Sequence, residues 1–311
     1  MSGIVLAVAI VAAVAIYDYA IVAGRWRGLG PWPPVLVGFA LSQLFAPSMV
    51  FHRCIACVWG MAIAARSFEC ATGRVREVEM VRSPGRFAVW LLMPAESRVP
   101  RDANEALSLA ALGRRRFGRG LLKLPFILGL LAIEARWPAL HDSVWLESFW
   151  ALWLTWLSVS ALCDFITAVG LHTGVVVDEN FDAPMLARSP RDFWGRRWNR
   201  FVHRFATRHV FLLVGGRRRP GLAALAIFTA SGLVHEIFVV LVLGRLPERV
   251  GWMTAFFVLH GLATVGQLAL RRRRGRGPAM PRPVAVGLHL VWISATAPLF
   301  FGPLGEIFAG W

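Results

Sequence analysis

Runs of about twenty apolar residues, separated by connections crowded with arginine, dominate what this chain can fold into. Segments 3 to 23, 33 to 51, 144 to 170, 221 to 244, 251 to 270 and 283 to 302 are each long enough for a membrane-crossing helix. At about 1.5 Å per residue, a helix of roughly 20 residues covers the ~30 Å hydrocarbon layer of a bilayer. Two shorter runs, 54 to 65 and 121 to 135, need tilt, re-entry or shielding by neighbours to do the same. In lipid no water satisfies backbone N–H and C=O groups, so each segment must bond internally, which favours helices. The reading is an all-α polytopic bundle of about eight transmembrane helices, forming one membrane-embedded domain over residues 1 to 311.

Composition agrees. Apolar residues reach 57% with mean hydropathy +0.56, above the roughly 45 to 50% of a soluble domain. Lysine and arginine number 34 against 18 acidic residues, and Lys123 is the sole lysine. On a soluble chain that excess would point to nucleic acid. Here 29 of the 33 arginines lie in connections 24 to 31, 66 to 120, 171 to 220 and 271 to 282. Such a distribution follows the positive-inside rule and contact with anionic lipid headgroups, so these connections are expected to be cytoplasmic. No nucleic-acid partner is expected, and the oligomeric state stays open. With eight spans, both termini fall on the opposite side. Residues 3 to 23 lack a basic leader and a small-residue cleavage site, so they read as a first span that is retained. Pro31 to Pro34 and Pro281 to Pro283 mark two helix starts, where a proline ring costs no hydrogen bond. The run Arg271 to Arg276 reads as a headgroup contact.

Two stretches carry polar chemistry. In Ser189 to Phe205 (SPRDFWGRRWNRFVHRF), Ser189 is placed to cap a helix that has Pro190 at its first position and Asp192 three residues on. On a helical wheel Trp194, Trp198, Phe201 and Phe205 share one side, and Arg196, Asn199, Arg200 and His203 the other. The simplest account is an amphipathic helix in the interface, its aromatic residues dipping into lipid. The same arginines also suit the phosphates of an acidic ligand.

The second stretch is Ser231-Gly232-Leu233-Val234-His235-Glu236 inside the span 221 to 244. Residue 235 lies about 21 Å along the helix from residue 221, at about 1.5 Å per residue. Ionisable groups at such depth are expensive and mark functional candidates. Ser231 and Gly232, one turn earlier, leave room for a substrate or for a neighbouring helix. A histidine hydrogen-bonded between helices accounts for His235 equally well. Glu236 points about 100° away and is expected to brace another helix, through an arginine for instance. Asp18 and Asp164 read as partners of polar neighbours. His52, His172, His260 and His289 show no metal-ligand spacing, and no metal is expected. Cys54 and Cys57 have C-x-x-C spacing without a second pair; they, Cys70 and Cys163 read as packing residues. No Gly-rich phosphate loop or G-x-S-x-G elbow occurs.

Phe181-Asp182-Ala183-Pro184, then Ser189 to Asn199, then Ser231 to Glu236 some 35 residues later, together resemble the wax synthase branch of the membrane-bound O-acyltransferase superfamily. The resemblance covers residues 178 to 245, the motif-bearing core. It implies transfer of an acyl group from acyl-CoA, as co-substrate and with no further cofactor, to the hydroxyl of a lipid alcohol. His235 matches the family's intramembrane histidine and Asn199 its second hallmark residue. Trp194, Arg196, Arg197, Trp198, Arg200, Ser231 and Gly232 are then candidate substrate-binding residues, the arginines for the phosphates of coenzyme A. A neutral imidazole in a low-dielectric site can act as general base, and an amide can orient a carbonyl or an oxyanion. The N-terminal third carries no matching motif, which leaves the acceptor open among fatty alcohol, diacylglycerol, sterol and glycan hydroxyl. Two other classes are weighed against this one. One is a proton-coupled transporter with His235, Glu236 and Asp164 as relay; the other is a scaffold whose polar residues only pack.

Overall fold

The computed structural model describes residues 2–24, 30, 32–274 and 280–308. Pro31, the arginines of 25–29 and residues 275–279, which include the end of the basic run, lie outside the described residues. Helices run in the order α1 (Ser2–Val22), α2 (Trp32–Ala40), α3 (Val50–Ala71), α4 (Val78–Val81), α5 (Pro84–Leu92) and α6 (Ala103–Arg136). They continue with α7 (Val144–His172), α8 (Pro190–Asp192), α9 (Arg200–Ala206), α10 (Pro220–Leu243), α11 (Trp252–Arg274) and α12 (Arg282–Phe308). The described strands are two-residue pieces, β1 (Ser97–Arg98) and β2 (Val176–Val177), paired antiparallel with Ser97 opposite Val177.

Six described helices are long and apolar enough to cross a membrane: Gly3–Val22, Val50–Ala71, Val144–His172, Pro220–Leu243, Trp252–Leu270 and Arg282–Ile307. The chain is a polytopic integral membrane protein. Its expected eight spans are not all realised as such. The short run 54 to 65 lies within the 22-residue α3, a full span. Segment 33 to 51 divides instead: α2 ends at Ala40, a tight turn covers Leu41–Leu44, and Phe45 is extended. Pro47 follows two residues later, where its ring and missing N–H oppose a continuous helix. Segment 121 to 135 is the second half of the 34-residue α6, whose first half bears Arg114, Arg115 and Arg116.

The chain divides into two compact units, one of residues 1–116, 166–178 and 238–246, the other of residues 117–165, 179–237 and 247–311. The first has an apolar core of Met80, Phe87, Trp90, Leu91, Val177 and their neighbours. α2 and α3 meet so closely that a Cβ on Gly60 would stand 2.0 Å from the Gly38 carbonyl oxygen. Polar and charged side chains here are buried and hydrogen-bonded. Arg66 donates to Glu69 at 3.1 Å and to the Ala95 carbonyl at 2.7 Å, and lies 4.4 Å over the Trp90 ring. Arg53 donates to Gln43 at 2.7 Å and to the Leu241 carbonyl at 2.6 Å. Asp18 accepts from Ser67 Oγ at 2.5 Å, the polar partner expected of it.

The second unit packs aromatic rings around Phe193 and around Phe228, Phe256 and Phe257. Asp164 pairs with Arg119 and with Lys123, which also reaches Ser160 at 2.6 Å. All four cysteines are free thiols, with Cys57 and Cys70 buried.

Candidate active site

A helix starts where the sequence places it: Ser189 Oγ accepts from the Asp192 N–H at 3.2 Å, with Pro190 at the first position. It does not continue as the wheel assumes. After α8 the chain makes a wide turn over Phe193–Arg197, Trp198 is extended, and Asn199 adopts φ +41. α9 begins anew there, with the Asn199 side-chain oxygen accepting from the Val202 N–H at 3.3 Å. Asparagine tolerates the left-handed region and caps well, so residue 199 suits a break. The continuous interfacial helix is therefore replaced by two short ones, and the aromatic residues turn inward. Trp194 lies 5.4 Å from Phe257 and 5.9 Å from Phe228, and Trp198 stacks on Phe193 at 5.3 Å.

The preceding loop is tied to this break. Asn180 accepts the Arg200 N–H on its carbonyl and the Phe201 N–H on its side chain, both at 3.1 Å, while the Asp182 N–H reaches the Arg197 carbonyl at 2.9 Å. Arg197 is a strut. It pairs with Asp192 at 3.0 Å and donates to the Asp182 carbonyl at 3.0 Å. Partial burial works against the Asp192 carboxylate, yet the Arg188 N–H and the Arg197 guanidinium outweigh it and hold this carboxyl below its ordinary range.

Three other arginines line a cavity of about 330 Å³: Arg196, Arg200 and Arg204, with His203, Gly195 and Asp182. Arg196, Arg200 and His203, grouped by the wheel, thus meet by a different backbone route. Arg196 and Arg200 form no ion pair among the described residues. Three guanidinium groups against one carboxylate make a site for an anion, and forked donors suit phosphate.

His235 lies on α10. Its Nδ1 is 2.7 Å from the Ser231 carbonyl oxygen, one turn back. A carbonyl only accepts, so in the neutral ring Nδ1 carries the proton and Nε2 presents a lone pair. The ring rests 4.6 Å from Phe257 and 5.5 Å from Phe300. Gly232 faces α11, where a Cβ would come within 2.6 Å of Thr254 Cα; the room it leaves is taken by a neighbouring helix. Glu236 braces that same helix by accepting the Thr254 N–H at 3.1 Å, a backbone donor where an arginine was expected. A ring sequence links His235 to Phe257, Phe257 to Trp194 and Trp194 to Trp198, the residue beside Asn199.

His260 stands out from the structure though not from metal-ligand spacing. It is fully buried on α11 and accepts the Trp194 indole N–H at 3.0 Å. A histidine in the middle of an apolar span is conspicuous by the same cost that singles out His235. Among the described residues no group of three or more His, Cys, Asp or Glu is placed to hold a metal ion.

Fold and site together define a polytopic membrane protein with an arginine-lined cavity and an intramembrane histidine whose Nδ1 meets the Ser231 carbonyl. Residues 177–259 match the membrane bound O-acyl transferase family. Among relatives, acyl-CoA–sterol O-acyltransferase 1 of Arabidopsis thaliana is 31% identical over 144 residues, 44% of this chain and 41% of the relative. Probable long-chain-alcohol O-fatty-acyltransferase 3 of the same plant is 34% identical over 173 residues, 51% of this chain and 47% of the relative. Long-chain-alcohol O-fatty-acyltransferase of Simmondsia chinensis is 32% identical over 143 residues, 42% of this chain and 39% of the relative. The chain thus spans about half the length of the curated relatives it matches, or less.

Proposed function

We propose that this protein is an acyl-CoA-dependent O-acyltransferase that moves a fatty acyl group to the hydroxyl of a lipid alcohol, with His235 as general base. One observation carries the reading: the Ser231 carbonyl fixes the His235 tautomer that leaves Nε2 unprotonated within a membrane span. Nε2 takes the alcohol proton as the oxygen attacks the thioester carbonyl. The new C–O bond forms, the C–S bond breaks, and the imidazolium returns its proton to the departing coenzyme A thiolate. The thioester is already activated, so no acyl-enzyme is needed. Relatives named as transferring acyl groups to long-chain alcohols and to sterol support a lipid alcohol as acceptor. The cavity of Arg196, Arg200 and Arg204 fits the phosphates of coenzyme A. Asn199, already capping α9 through its oxygen, retains an amide N–H that can orient a carbonyl or oxyanion. Acyl-CoA serves as co-substrate with no further cofactor, and the arginine-rich connections face the cytoplasm.

A proton relay through His235, Glu236 and Asp164 is disfavoured by their engagements: Asp164 is held by Arg119 and Lys123, and Glu236 by the Thr254 N–H. The deciding experiment incubates membranes containing the protein with labelled acyl-CoA and fatty alcohols, diacylglycerol, sterol or a glycan. Wild type and an equally expressed His235→Ala variant are compared. Ester made by wild type and lost in the variant supports the reading and identifies the acceptor. Equal ester from both removes His235 from the chemistry.

A further inference from the structure

We infer that His260 is a positioning residue for this reaction, holding Trp194 by a hydrogen bond so that Trp194 and Phe257 form the fixed wall behind the imidazole of His235. The inference rests on the reading of His235 as base, and its geometry is independent of it. Nδ1 of His260 is 3.0 Å from the indole nitrogen of Trp194 and 3.4 Å from that of Trp292. An indole N–H can only donate, so Nδ1 carries no proton. The ring proton is on Nε2, which donates to Thr296 Oγ1 at 2.9 Å, and the Thr296 hydroxyl in turn reaches the Trp292 carbonyl at 3.0 Å. Every polar atom of this imidazole is therefore engaged, and its tautomer is the opposite of that in His235. His260 has no lone pair to offer a substrate; what it offers is direction.

Trp194 needs that direction. Its indole otherwise packs against apolar groups, among them the rings of Phe228 at 5.9 Å, Phe256 at 6.1 Å, Phe257 at 5.4 Å, Phe193 at 4.9 Å and Trp198 at 6.5 Å. Ring contacts are individually weak and loosely directional. The N–H to Nδ1 bond selects one orientation, since breaking it would leave the indole N–H without its acceptor among apolar rings. Phe257 packs between Trp194 and His235, with Phe256 and Phe300 on its other sides, so the orientation of Trp194 helps set its position.

The two amide side chains separate this role from plain packing. In His260→Asn the amide oxygen stands about where Nδ1 stands and can still accept from Trp194. In His260→Gln the amide reaches the Nε2 position and can bond Thr296 while leaving Trp194 unheld. With acyl-CoA and the best acceptor, Asn is expected to keep kcat within about 3-fold of wild type. Gln is expected to lower it by more than about 10-fold at unchanged KM for acyl-CoA, since small misplacements near the reacting groups cost rate steeply. Trp194→Phe should match the Gln loss, and His260→Gln with Trp194→Phe should lose no more than either alone. Ultraviolet resonance Raman difference spectra against Trp194→Phe should show a strongly hydrogen-bonded indole in wild type and Asn, weakened in Gln. Equal losses in Asn and Gln that follow melting temperature, or additive losses in the double variant, overturn the positioning role. Ester from no acceptor in wild type sinks the base reading and this role with it, while the Raman comparison still reports whether His260 holds Trp194.

Discussion

Nδ1 of His235 lies 2.7 Å from the carbonyl oxygen of Ser231, a bond within one helix that decides which ring nitrogen faces outward from α10. The carbonyl belongs to the backbone, so it persists whatever side chain stands at 231. His235→Gln keeps a polar side chain of similar reach but has no basic nitrogen. Ester formation is expected to fall by about 10² to 10⁴-fold, the usual worth of a positioned base. Matched melting curves in detergent would show the fold intact; activity retained within a few-fold would remove the base from the mechanism.

Asn199 combines two duties that substitutions can separate. Its φ of +41 and its bond to the Val202 N–H are structural. Asp accepts the same N–H and tolerates the same backbone, while removing the amide N–H. Asn199→Asp should therefore melt near wild type yet lose more than about tenfold in rate, an amide donor to a developing oxyanion being worth 10² or more. Asn199→Ala should also lose stability, by roughly 1 to 2 kcal/mol from the lost cap and the strained left-handed residue. Asp at wild-type rate would leave Asn199 as a cap alone.

These two residues also show how far the sequence could be read. The length of the apolar runs decided the spans, and His235 was visible because an ionisable group inside lipid is costly. α3 extends beyond the apolar run because Arg53, Arg66 and Glu69 interrupt that run; buried, each bonds to partners that only the folded chain supplies. The wheel over 189–205 failed at Asn199 because a wheel assumes one continuous helix, and no periodicity encodes a positive φ. His260 carries the same cost as His235, but its spacing from the other histidines matches no metal-ligand pattern and so gives no sign of its role. The joining of Asp182 and Arg204 to one cavity depends on the loop anchored by Asn180, which no local pattern announces.

The cavity predicts a binding phenotype distinct from a chemical one. Arg196→Ala with Arg200→Ala should raise the apparent KM for acyl-CoA by about tenfold or more with kcat little changed, as expected of contacts made equally in ground and transition states. Their loss should also flatten the dependence of KM on salt, since exposed charge pairs are screened within about 8 Å at physiological ionic strength. Steady-state kinetics at two salt concentrations would check both. An unchanged KM would place the coenzyme elsewhere.

Two glycines should be intolerant for steric reasons unconnected with substrate. A Cβ at 60 meets the Gly38 carbonyl oxygen at 2.0 Å and one at 232 meets Thr254 Cα at 2.6 Å, both backbone atoms that cannot rotate away. Each helix pair must separate, costing about 1 to 3 kcal/mol. Gly60→Ala and Gly232→Ala should both lower the melting temperature in detergent. Gly232→Ala should also impair ester formation, because shifting α10 from α11 moves His235 relative to Phe257. A Gly232→Ala variant that melts like wild type would mean the two helices can yield without loss.

The last prediction concerns a carboxyl in the first unit. Glu77 accepts the Trp90 indole N–H at 3.3 Å, and Arg66 stands 4.0 Å away. Burial, then the hydrogen bond and charge of Glu96, push the Glu77 carboxyl upward from its ordinary value, and Arg66 only partly offsets them. The folded chain thus keeps a proton here that the unfolded chain has released. Stability from this group is complete below the unfolded carboxyl's range, about 4.5, and declines as pH rises toward about 7. Glu77→Gln, which can still accept from Trp90 and bond Glu96, should flatten the dependence of melting temperature on pH across that window and raise stability near neutrality. Measuring melting temperature at closely spaced pH values for both proteins decides it: parallel curves would mean that the proton on this carboxyl pair contributes nothing to the pH response of the fold.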